Sequence, residues 1–158
     1  MEKVNVFLGN KLIAEFMGWY IEVTPPTKDY PEQTWCTSRN KNGDWSSGKC
    51  ANSKRDSNIK NRIVEIKEEL WKSLCNHSYG RAGQYNTKWD ELMPVVEKIE
   101  EIDVVASFQI EQPTIYIWTS SKSNTFEDIE VNIFNKSKIE AVYEACIEFI
   151  EWYNNEKS

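Results

Sequence analysis

The C-terminal segment is the strongest constraint on what this chain can fold into. Ser137-Lys-Ile-Glu140 has the pattern of a capping box, in which a Ser hydroxyl and a Glu carboxylate satisfy the first free N–H groups of a helix. Behind it, Ile139, Val142, Tyr143, Cys146, Phe149, Ile150 and Tyr153 recur at helical spacing. A helix with one broad apolar face has to bury that face against another layer.

The segments just before it supply the partner. Three runs, near 104–111, 114–119 and 129–134, are β-branched and aromatic, and the short connections between them favour an antiparallel meander. Ile115/Ile117 alternate with Tyr116/Trp118, so both faces of that run are apolar, as in a middle strand covered on two sides.

Three further helices are expected. The first, over 10–17, carries Leu12, Ile13, Phe16 and Met17 and stops at Gly18. The second, over 57–74, has Ile59, Ile63, Ile66, Leu70 and Leu74 on one stripe. The third starts near a Thr87 cap and buries Trp89, Leu92, Met93, Val96 and Ile99. Pro94 conflicts with it, so that helix either kinks at Pro94 or begins close to it. Trp19–Thr24 (WYIEVT) reads as a short strand ended by Pro25-Pro26. The class is therefore α+β: one domain over 1–158, an α/β/α sandwich with a small antiparallel sheet of three or four strands and about four helices.

The region at about 25–86 stands out as an irregular insertion. From 27 to 58 there is little periodicity, and Trp35 and Trp45 are embedded in polar residues. Asn42-Gly43 is a hairpin signal inside it. This stretch also carries the chain's charge asymmetry. Between Pro25 and Arg62 eight Lys/Arg face four Asp/Glu, whereas the remainder has eleven against twenty-one. The overall charge of −6 argues against general affinity for nucleic-acid phosphates. No basic start followed by a long apolar run suggests a signal peptide, and no apolar stretch is long enough to span a membrane. The cytosol is the expected compartment, with Cys36, Cys50, Cys75 and Cys146 as free thiols.

The pieces Asn10-Lys-Leu-Ile-Ala-Glu-Phe-Met-Gly18, Trp89-Asp-Glu-Leu-Met-Pro-Val-Val-Glu-Lys-Ile-Glu100 and Ala141-Val-Tyr-Glu-Ala-Cys-Ile-Glu-Phe-Ile-Glu-Trp-Tyr-Asn154 resemble a group of small phage and prophage proteins akin to the phage ABA-sandwich domain. The resemblance covers about half the chain, mostly its core, and implies an α/β/α sandwich. It brings no catalytic residues with it. The chain departs from the compact pattern by inserting roughly 46–86.

Chemistry-bearing constellations are few. Cys36, Cys50, Cys75 and His77 have the residue types of a zinc site but no close CxxC pair, and Cys75/His77 lack a third orienting group for nucleophilic catalysis. No cofactor or metal motif is legible, and no catalytic residue is assigned. What remains is a pattern for binding. Trp35, Arg39 and Trp45, with Lys49, Lys54 and Arg55 nearby, interleave indoles and cations; Tyr79, Arg81 and Tyr85 repeat the pattern before the third helix. Indoles stack on bases and Arg forks onto phosphate. Either these residues line a pocket for a small anionic nucleotide-like molecule, or the indoles pin the loop to the core. The expected function is non-enzymatic sequestration of such a molecule, a signal of host immunity, by a phage-type protein that gains from forming a homo-oligomer. The alternative is an acidic module that inhibits a host enzyme or nuclease.

Overall fold

The computed structural model describes residues 5–76, 83–102, 105–111, 114–119, 129–132, 134 and 136–158. The class is α+β, with four helices and two three-stranded antiparallel sheets among the described residues. One sheet was expected. The six strands divide because the stretch read as an irregular loop is a β-hairpin that pairs with the first strand. The chain forms two compact units: 14–83, and 1–13 together with 84–158.

In the unit 14–83 the sheet order is β1 (Trp19–Thr24), β2 (Gln33–Asn40), β3 (Trp45–Asn52). Gly18, at φ 96°, makes the stop that precedes β1, in backbone that only glycine adopts freely. The β2–β3 turn closes at Asn42-Gly43 as expected. Gly43 is left-handed at φ 84°, and Asn40 Oδ1 accepts from the Asn42 and Asp44 N–H groups. Helix α2 (Ile59–Asn76) lies on one face. Its Ile66 and Leu70 form a core with Cys36 of β2 and Ala51 of β3, with Ile21, Ile59 and Ile63 at the margin. The expected stripe of α2 is thus the buried one. One ion pair crosses the seam, Lys49 Nζ of β3 to Glu69 of α2 at 2.5 Å, and Arg62 of the same helix pairs with Glu69 at 3.1 Å. Hydrogen bonding to Lys49 foremost, then to Arg62, holds the Glu69 carboxyl below its usual range.

In the other unit the order is β4 (Val105–Glu111), β5 (Thr114–Thr119), β6 (Ile129–Asn132). Register places Phe108 and Ile110, Ile117 and Ile115, Ile129 and Val131 on one face, against α3 (Trp89–Glu100) and α4 (Lys138–Glu156). β5 is the middle strand; Ile115 and Ile117 are buried on one face, while on the other Thr114 is buried and Trp118 is 41% exposed. The capping box at Ser137 and Glu140 is present. Val142, Tyr143, Cys146, Phe149 and Ile150 of the expected α4 stripe are buried. Gly9 of α1 (Val6–Phe16) sits where a Cβ would meet Tyr143 Oη at 2.3 Å and Ile147 Cδ1 at 2.6 Å, so glycine lets α1 approach α4. The Tyr143 hydroxyl donates to the Val6 carbonyl at 3.2 Å.

Helix α3 runs from Trp89 through Pro94, so it does not begin at that proline. It differs from expectation in two respects: its N-cap is Lys88 rather than Thr87, and its buried residues are Leu92, Val95, Val96 and Ile99. Trp89 and Met93 lie on the rim of that stripe and are exposed. No helix among the described residues is long and apolar enough to cross a membrane.

Candidate functional site

The outer face of β1–β2–β3, away from α2, is a grid fixed by strand register. Across the sheet, Tyr20, Arg39 and Trp45 form one row; Glu22, Thr37 and Gly48 the next; Thr24, Trp35 and Cys50 the third. Cross-strand neighbours on one face have Cβ atoms about 5 Å apart, so each row is a contiguous strip.

A local irregularity makes the first row possible. Thr37 pairs with Gly48 but Arg39 with Trp45, so β3 uses three residues where β2 uses two. Regular pairing would set Trp45 opposite Asn40 and turn it towards α2. The β-bulge absorbs the extra residue and keeps Trp45 outward. Ser38 stitches the bulge from the buried side. Its hydroxyl accepts from the Ser47 N–H at 3.0 Å and donates to the Ser47 carbonyl at 3.1 Å.

The middle row is low because Thr37 is small and Gly48 has no side chain. A cleft of about 300 Å³ therefore opens there, lined by Trp35, Thr37, Arg39, Trp45 and Gly48. Trp45 is 60% and Trp35 43% exposed. The Trp35 indole N–H donates to Gln33 Oε1 at 3.2 Å, which fixes that ring. Arg39 Nε donates to Glu22 Oε2 at 2.5 Å across the strands. A pair this exposed adds little stability, but it orients the guanidinium over the cleft.

Of the six sequence candidates, Trp35, Arg39 and Trp45 are brought together. Neither indole pins a loop to the core: both stand on strands, facing outward. Tyr85 is a correction. It is 4% exposed and belongs to the core of the unit that includes 84–158, not to the lining of the cleft. Tyr79 and Arg81 lie outside the described residues, as does His77. The flanking cations do not gather at the cleft either: Lys49 pairs with Glu69, and Lys54 with Glu32 at 3.7 Å. Among the described residues Arg39 is the one cation lining it.

Cys36 faces α2 while Cys50 lies on the outer face opposite Trp35, so these two thiols do not converge on one ion. Burial pushes the Cys36 thiol up from its ordinary value, as it does that of Cys146. Sequence reading missed Thr37, Gly48 and Glu22. Counting strand positions outward from the Asn42-Gly43 turn would have found them, but for the bulge.

No protein-family profile, curated protein or solved structure matches the chain.

Proposed function

We propose that this chain is a binding protein, without turnover, that captures a small anionic nucleotide-like ligand on the outer face of β1–β2–β3. One observation carries the reading: two exposed indoles flank a glycine-floored cleft that also holds an oriented arginine. Indoles left in water contribute little to the core, whereas a base stacked on one gains about 1–3 kcal/mol. The Arg39 guanidinium has five N–H donors and gives one to Glu22, so it has others to offer a phosphate. The volume is at the small end for ligand sites, suited to a single nucleotide unit. With the resemblance to small phage proteins, the reading becomes sequestration of a nucleotide signal of host immunity, a task that needs affinity and abundance.

The second reading is an acidic docking surface for a host protein. It rests on Glu111 and Glu130, exposed beside Tyr116 and Trp118 on the open face of β4–β5–β6.

The test is to purify the protein from cells whose nucleotide-signalling defences are active, heat-denature it, and identify the released small molecules by mass spectrometry. An intact nucleotide, absent from the Trp35→Ala and Arg39→Ala proteins, supports capture. A converted product points to an enzyme. A blank from folded protein leaves the docking reading.

A further inference from the structure

The middle row, whose Thr37 and Gly48 line the cleft, has two unlike ends. At its β3 end Gly48 leaves the edge open, and at its β1 end stands Glu22, the direct register neighbour of Thr37. A flat ring that enters over Gly48 between the walls of Trp35 and Trp45 travels along Thr37 towards that carboxylate. A carboxylate is acceptor-only, with two oxygens and about four lone-pair sites. Among the described residues Glu22 accepts from Arg39 Nε on Oε2, which leaves lone pairs on both of its oxygens for a ligand. The edge that meets it must therefore donate.

We infer that the ligand is a guanine nucleotide, its base edge towards Glu22 and its phosphate towards Arg39; this rests on the nucleotide-capture reading above. Guanine alone among the common bases sets two adjacent donors, N1–H and the N2 amino group, on one edge. That edge matches the two oxygens of a carboxylate. Adenine and cytosine each place a lone-pair nitrogen beside their amino group, which opposes a carboxylate. Uracil has one N–H between two carbonyls. Thr37 adds a hydroxyl able to donate to a base carbonyl. The Arg39–Glu22 pair then has a use that its exposure denies it as a stabiliser: it holds a base-reading acceptor and a phosphate-reading donor in one fixed geometry.

The experiment is calorimetric titration of the full chain with GMP, IMP and AMP. IMP is GMP without the N2 amino group. GMP is expected to bind tighter than IMP by about tenfold, the worth of one hydrogen bond to a charged group at a partly wet site. AMP is expected to be weaker than either. Glu22→Ala should bring GMP and IMP to the same affinity, while Trp35→Ala weakens all three. Equal affinity of the unaltered chain for the three nucleotides, still lost in Trp35→Ala, overturns the base assignment and leaves the capture reading intact. No binding of any of them overturns both. The GMP/IMP comparison is made on the unaltered chain, so it does not depend on how Glu22→Ala folds.

Discussion

On the outer face of β1–β2–β3 two indoles stand apart, on neighbouring strands, with Thr37 and Gly48 between them. On the outer face of β4–β5–β6 the aromatics Tyr116 and Trp118 share one strand and stack on each other, ring centroids 5.9 Å apart. The aromatic content is similar and the outcome opposite. Residues two apart on a strand point the same way and fill each other's space. Rings separated by a small-residue row leave a space that nothing in the sheet fills. The neighbours differ as well: Arg39 beside Glu22 on the first face, Glu111 and Glu130 on the second. An exposed aromatic is thus a weak sign of a site, and an exposed pair held apart over a glycine is a stronger one.

The largest expected effect comes from closing the gap. In Gly48→Val the new Cβ meets the Cys36 carbonyl and Thr37 Oγ1 at 3.4 Å, an ordinary contact, and a β-branched residue suits a strand. Nucleotide affinity should fall by about 2 kcal/mol, the worth of one stacked base, with the melting temperature unchanged. Unchanged affinity in calorimetry would mean that the cleft is not the binding site.

Next is the device that keeps the indoles on one face. Ser38→Ala leaves the Ser47 N–H and carbonyl of the bulge without their buried partner, at an expected stability loss of about 1–3 kcal/mol. Denaturant melts measure the loss, and hydrogen exchange should show the Ser47 amide opening before the Cys36 amide. The matching control on the other sheet is Trp118→Ala. It removes a stack worth about 0.5–1.5 kcal/mol and should leave nucleotide binding untouched. Lost binding there would erase the distinction between the two faces.

The sequence made the helices legible because each buries a stripe with a clear period. Ile59, Ile63, Ile66 and Leu70 of α2 are such a case, and so is the capped α4. It misled where period was the only guide. Trp89 and Met93 lie on the rim of the α3 stripe, close enough in angle to be counted with it, while Val95 takes the inner place. The candidate site was half legible. Trp35, Arg39 and Trp45 attract notice by residue type, and Asn42-Gly43 marks the turn that joins their strands. The alternation that would have shown one shared face is broken by the bulge, and the bulge depends on a buried hydroxyl at Ser38 that no local pattern announces. Tyr85 has the right residue type and sits in a core, which composition cannot distinguish.

The two sheets are backed by helices whose acids respond to pH in opposite directions, and this gives the smallest expected effect. On α2, Glu69 is held below its ordinary range by hydrogen bonds to Lys49 and Arg62. Its contribution to stability is complete above the ordinary carboxyl value and is lost as pH falls through the lowered one. On α4, Glu148 is pushed above its ordinary range, first by burial and then by the nearby Glu144, with Lys136 opposing and Glu151 adding. The folded state there binds a proton more tightly than the unfolded chain, so this group destabilises at neutral pH and ceases to do so as pH falls through the raised value to the ordinary one. Glu148→Gln should therefore raise the melting temperature at pH 7, with the gain vanishing in acid. Glu69→Gln should lower it at pH 7, with the loss vanishing only at more acidic pH. Melting curves of both variants across the acid range check the signs. Parallel curves would show that the two helices sit in like electrostatic settings, and the contrast between the units would then be confined to their open faces.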